Sequence, residues 1–278
     1  MAKYELLPMQ LLHEGTAAKD DFFEPNIAEL SLVLSIHTPE YVKDLMELTL
    51  DPRAARKIGF PLSRELVERE FRITQGTIEG ALKAFDTRVA FNIAGGTHHA
   101  YTHRGEAFCL LNDQAVAAQY LLDHQKAQKI LIVDLDVHQG NGTAEIFQNR
   151  PEVFTFSMHG KSNYPFKKEQ SDLDIPLKDG TGDKEYLSIL IDTLPTLIKD
   201  QEPDFIFYLS GVDILATDKL GKLGCSLEGC TERDRIVFEL CKQYYIPVQV
   251  SMGGGYSPDI KTIIEAHANT YRVAREVF

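Results

Sequence analysis

Lys129-Ile130-Leu131-Ile132-Val133-Asp134-Leu135-Asp136-Val137-His138 passes from unbroken apolar character into ionisable side chains at every second position. Apolar residues at nearly every position mark a strand covered on both faces, as strands inside a parallel sheet are. Residues 88–94, 152–157, 204–210 and 246–252 are runs of the same kind. Between them the apolar spacing changes to three and four. Ser63 is placed to cap a helix whose Val67, Phe71, Thr74, Ile78, Ala81 and Phe85 share one face. Residues 111–124, 184–199, 232–244 and 260–278 are further helical stretches. Strand–helix alternation predicts an α/β chain, an open and mostly parallel β-sheet flanked by helices on both faces. No repeat, low-complexity tract or linker interrupts it, so residues 1–278 read as a single domain. Residues 1–60 are less regular, with short helices expected over 28–34 and 38–50, Pro39 standing in a first turn. Residues 161–179 form a long polar connection, expected as a rim or substrate loop.

In an open parallel sheet ligands bind where the strands end. Here the strands lead into Gly95-Gly96-Thr97-His98-His99, Asp134-Leu135-Asp136-Val137-His138, Ser157-Met158-His159, Ser210-Gly211-Val212-Asp213 and Gly253-Gly254-Gly255-Tyr256. Side chains two apart on an extended chain point the same way, so Asp134, Asp136 and His138 project together. Asp136, His138 and Asp213 offer two carboxylates and an imidazole with a fourth position open, the donor set of a catalytic zinc. Manganese and iron accept the same donors, and a metal-free Asp–His network is the plain alternative. After two glycines, His98 and His99 can both turn into a site, one as a base on an activated water and the other as acid or electrostatic partner. Three glycines ahead of Tyr256 allow close substrate approach, and its phenol is a suitable donor to a developing oxyanion. His13, His37, His103, His124, His159 and His267 read as structural.

Composition narrows the function further. With 29 Lys and Arg against 41 Asp and Glu, the net charge is −12 and the pI about 5.2, which disfavours nucleic-acid backbones. An acidic surface is ordinary solubility, or an attraction for cationic substrates such as a lysine-rich tail or a polyamine. Apolar runs are too short for a membrane span, and residues 1–10 lack a signal-peptide core, so a soluble cytoplasmic enzyme is expected. Cys109, Cys225, Cys230 and Cys241 form no CxxC pair and read as buried or incidental thiols.

Together, Gly95–Ala100, Phe108-Cys109 with Asn112-Asp113, Val133–Gly142, Phe156–His159, Ser210–Asp213 and Gly253–Tyr256 resemble, in order, the histone deacetylase superfamily, particularly its class IV-like and bacterial members. The resemblance implies an arginase/deacetylase-like fold and zinc-dependent removal of acetyl or longer acyl groups from lysine side chains of proteins. It implies that Asp136, His138 and Asp213 hold zinc, that His99 is the general base, and that Asp134 orients His98. Tyr256 would stabilise the oxyanion, and Phe108, Tyr164, Leu220 and Gly254 would line the acyl-lysine tunnel. It also implies a structural K⁺ or Na⁺ at Asp134, Ser157 and Met158 with carbonyls of Asp136 and His138, and a second near Phe147, Arg150, Val153 and Tyr186. The partners would be an acyl-lysine peptide or protein, or a small acylated amine such as an acetylpolyamine. A two-manganese ureohydrolase would want a DxHxD run and a later DxD, and a catalytically dead binding module would not keep the full set of site residues. Three departures stand out. Asn141 occupies a position where some branches carry Asp, which leaves His99 on an amide. Ala107 stands where many members have Gly. Relatives usually carry a strand before the segment matching Lys3-Tyr4-Glu5-Leu6-Leu7, so either that edge strand is lacking or the start is shortened.

Overall fold

The computed structural model describes residues 2–278. Among them six strands form one sheet: β1 (Val89–Asn92), β2 (Ile130–Asp134), β3 (Val153–Gly160), β4 (Leu173–Leu177), β5 (Phe205–Leu209) and β6 (Val248–Ser251). The order is β1-β6-β5-β2-β3-β4 and every pairing is parallel. From β2 the chain steps outward to β3 and β4, then returns to lay β5 on the other side of β2. The switch point therefore lies between β2 and β5, the crevice where such sheets bind ligands.

The helices are α1 (Lys3–Glu14), α2 (Leu30–Leu34), α3 (Pro39–Glu47), α4 (Pro52–Ile58), α5 (Arg64–Thr87), α6 (Asp113–Asp123), α7 (Asn141–Phe147), α8 (Asp183–Gln201), α9 (Leu227–Gln243) and α10 (Ile260–Val277). Alternation along β2 explains its unbroken hydrophobicity. Leu131 and Val133 join one core with Tyr186, Leu190 and Phe238 of α8 and α9, whereas Ile130 and Ile132 join the opposite core with Ile78, Ala118 and Phe147 of α5, α6 and α7. Each such side chain contributes about 1.5–3 kcal/mol on leaving water. Ser63 caps α5 as expected, its hydroxyl accepting from the Leu66 amide at 3.2 Å. None of the described helices is long and apolar enough to cross a membrane.

α1, α4, α7 and β4 are not among the elements expected from the sequence. Residues 161–179 contain the edge strand β4, hidden because its run Leu-Asp-Ile-Pro-Leu is only partly covered and carries Pro176. The first residues form α1, whose Leu7 and Leu11 pack with Ile264 and Ala268 of α10. With Pro8 inside and a short apolar stripe, α1 gains its stability from this distant partner rather than from local propensity.

Candidate functional site

The loops after β2 and β5 meet at the switch point. His138 Nδ1 lies 3.0 Å from Asp136 Oδ1 and 3.2 Å from Asp213 Oδ2, and one donor atom from each of the three residues falls within 4.8 Å of the others. Backbone amides aim the carboxylates: Val137 donates to Asp213 Oδ1 at 2.9 Å, and Gly254 donates to Asp136 Oδ2 at 2.9 Å. A Cβ on Gly211 would run into Asp136 and one on Gly254 into Asp213, so only glycine fits on either side. Asp213 Oδ2 is buried and accepts no hydrogen bond among the described residues, since His138 Nδ1, 3.2 Å away, is engaged with Asp136 Oδ1. Burial and the charge of Asp136 push the Asp213 carboxyl up. Burial opposes a charged His138, yet its contacts with Asp136 and Asp213 outweigh that and raise it to about 10. Two buried carboxylates thus demand a positive charge between them. The donor set, the orphaned oxygen and the glycine clearance fit a divalent cation, which would replace that proton.

The histidine pair arrives on the loop after β1. Asp113, at the start of α6, accepts from the amides of Gly96 (3.0 Å) and Thr97 (2.8 Å) and so fixes the turn. Beyond it His98 and His99 lie side by side, ring centroids 4.1 Å apart, both buried. His98 Nδ1 meets Asp134 Oδ2 at 2.7 Å. Burial opposes its charge, but Asp134 wins and holds His98 above its ordinary value. His99 Nδ1 meets Asn141 Oδ1 at 2.6 Å. Asn141 Nδ2 donates to the Tyr101 hydroxyl at 2.9 Å, which donates to Glu169 at 3.2 Å. That chain fixes the amide's orientation, so His99 Nδ1 carries the hydrogen and Nε2 the free lone pair. Burial, then the charges of His98 and His138, push His99 well below its ordinary value.

His98, His99, Asp136, His138 and Asp213 line a cavity of about 400 Å³ that Phe108, Tyr164, Leu220, Gly254 and Tyr256 also line. Tyr164 stands edge-on to His99 at 5.0 Å, its hydroxyl donating to Glu106 at 2.6 Å. Ala107 and Phe108 adopt φ of 44° and 70°, a left-handed pair that explains the glycine preference at position 107. Lys57 and Ile58 carbonyls hold it by accepting from their amides at 2.9 and 2.7 Å. The Tyr256 amide is tied to Asp218 at 2.6 Å, and burial raises its phenol's pKa, keeping it a donor.

Asp134 pairs in register with Ser157 of β3, whose hydroxyl lies 3.0 Å from His159 Nδ1. Tyr186 lies in the core across the sheet from Phe147 and Val153, so its side chain does not join them. His37 is structural as expected, bridging the Tyr101 carbonyl and the Asn112 amide at 2.9 and 3.0 Å. The four cysteines are buried and unpaired. Sequence reasoning missed Lys3 and Tyr4 in the cavity wall, and Tyr101 and Glu169 behind His99. Tyr101 shares the Gly95–Tyr101 loop with the histidines and Glu169 lies in the 161–179 connection expected as a rim, whereas no chemical pattern in the sequence signalled Lys3 or Tyr4.

A family model described as histone deacetylase domain matches residues 1–271. An uncharacterized protein of Picosynechococcus sp. is 42% identical over 278 residues, covering 100% of this chain and 93% of that one. Histone deacetylase 2 of Arabidopsis thaliana is 30% identical across 91% of this chain and 68% of its own length. Acetoin utilization protein AcuC of Staphylococcus aureus is 29% identical across 88% and 68%. The crystal structure of an HDAC homolog from Aquifex aeolicus superposes with a TM-score of 0.83 at 26% identity, over 97% of this chain and 77% of that chain.

Proposed function

Because this chain belongs to the histone deacetylase family, we propose that it is a zinc-dependent hydrolase that cleaves the amide of an acylated lysine side chain in a peptide or protein. The observation that carries this reading is one cavity lined by Asp136, His138, Asp213, His98, His99 and Tyr256 together. Asp136, His138 and Asp213 would hold the zinc ion, which supplies Lewis acidity toward water and the amide carbonyl. His99 takes a proton from the attacking water at Nε2, because Asn141 already holds its Nδ1 hydrogen. His98, on which Asp134 favours positive charge, would stabilise negative charge as it develops. The Tyr256 hydroxyl donates to the former carbonyl oxygen. His99 then gives its proton to the departing amine, and a carboxylic acid and free lysine leave. Phe108 and Tyr164 flank the lysine stem, with Leu220 and Gly254 beside them.

In the same reading residues 1–278 act as one catalytic domain in the cytoplasm, without nucleic acid or membrane. Asp134, Ser157, Met158 and the carbonyls of Asp136 and His138 would hold K⁺ or Na⁺. The test is hydrolysis of N-ε-acyl-lysine peptides, acetyl through myristoyl, alongside acetylspermidine, by zinc-loaded protein. Peptide turnover that a chelator abolishes and zinc restores supports the reading. Turnover of acetylspermidine alone replaces it with a small-amine amidohydrolase, and silence with zinc bound refutes it.

A further inference from the structure

Lys3 is the first residue of α1, yet its ammonium donates to the carbonyl of Gly253, 250 positions away, at 3.3 Å. It is only 9% exposed and lines the cavity beside Tyr4, Gly253 and Tyr256. An ammonium has three hydrogens to donate, and this one has a single long bond to protein. Its other close neighbours are the faces of Tyr4 and Tyr256, each 5.4 Å from Nζ, which attract the charge but accept little. Among the described residues, carboxylates act on it only as charges and none by a hydrogen bond. Burial lowers its pKa, while Asp213, Asp136 and Asp218 act from further off to raise it. Those three are committed elsewhere. Asp136 and Asp213 belong to the proposed metal centre, and Asp218 accepts from the amides of Leu220 and Gly221 at 2.8 Å and of Tyr256 at 2.6 Å. His267, fully buried behind, feels Lys3 only as a like charge. With a cation among the carboxylates, Lys3 is left as an unmatched buried charge facing the cavity that would take the acyl group, which is the setting in which an anion is best received.

We propose that Lys3 forms a carboxylate subsite, so that this cavity accepts acyl groups ending in a carboxylate, such as succinyl or glutaryl, on the amine. The inference rests on the amide-hydrolase reading above. A plain alkyl chain would strip water from the ammonium and return nothing, whereas a terminal carboxylate makes charge-assisted hydrogen bonds to its free hydrogens. Hydrolysis stays balanced: the amide C–N bond breaks, water supplies the new C–O bond, and a proton goes to the nitrogen. The products are free amine and a dicarboxylate.

The experiment compares lysine peptides bearing acetyl, butyryl, succinyl and glutaryl groups on zinc-loaded wild type, Lys3→Met and Lys3→Arg. We expect kcat/KM for succinyl or glutaryl to exceed butyryl by roughly 10- to 100-fold, the scale of a hydrogen bond to a charged group. The ratio should collapse in Lys3→Met and survive in Lys3→Arg, with zinc content and Tm confirming that each variant folds. Turnover of acetyl and butyryl with no such preference overturns the subsite and leaves the hydrolase standing. Acetate inhibition lost in Lys3→Met, again without a preference, also overturns it, because Lys3 then serves the product acid. If nothing is hydrolysed, calorimetric titration decides separately: tighter binding of glutaryl than butyryl peptide, lost in Lys3→Met, keeps the subsite, and equal binding removes it.

Discussion

The two sides of the site treat neighbouring histidines in opposite ways. On one side His98 leans on a carboxylate, Asp134, and is held above its ordinary pKa. On the other, His99 leans on an amide, itself braced by Tyr101 and Glu169, and is driven well below. Burial is equal for both, so the partner atom decides which ring carries charge. The two rings stand 4.1 Å apart, and the charge favoured on His98 is one of the causes that hold His99 down. Separating two like groups by their environments is how a single site keeps an acid and a base together near neutral pH.

The comparison can be broken from the top down. Removing what both sides serve has the largest effect: Asp213→Asn should lower turnover by more than about 10³-fold, since a Lewis acid is worth several kcal/mol. Metal analysis should show the zinc lost with it, and a variant that keeps both zinc and activity would exclude Asp213 as a ligand. Next come the groups that touch the reacting atoms. His99→Ala should cost about 10²–10⁴-fold and Tyr256→Phe about 10²–10³-fold, and single-turnover rates within threefold of wild type would remove the role concerned. A smaller change makes the two sides alike. Asn141→Asp gives His99 a carboxylate, which favours the imidazolium and raises its pKa, so less free base remains at a given acidic pH. The acidic limb of the kcat/KM profile should move to higher pH, and an unmoved limb would show that His99 does not set it.

The smallest effect belongs to the scaffold under Lys3. Arg272 of α10 holds Glu14 of α1, Nε to Oε1 at 3.0 Å, and that hydrogen bond keeps the Glu14 carboxyl down at about 2. A carboxyl depressed by folding contributes stability that is complete above its ordinary value and disappears as pH falls toward the folded value. Wild type should therefore melt about 1–3 °C above Glu14→Gln near neutral pH, with the gap closing between about pH 4.5 and 2. A gap that widens in acid would contradict the sign.

The strands were legible because burial on both faces imposes a composition that local sequence cannot imitate by chance, as Ile130–Asp134 demonstrates. The candidate ligands were legible for a related reason. Parallel strands end on one edge, so Asp136 and Asp213 had to share it whatever the sheet order. β4 escaped because an edge strand need not be apolar on both faces, and α1 because its partner helix lies at the far end of the chain.

Sequence by itself determined the parallel α/β layering, the convergence of polar strand ends and the family resemblance, all of which depend on short-range pattern. Only tertiary structure decided that β2 and β5 are neighbours, that Tyr101 and Glu169 brace Asn141, and that Lys3 enters the cavity beside Tyr256. Those facts join residues up to 253 positions apart, and such contacts arise from packing the whole core, which no local window of sequence encodes.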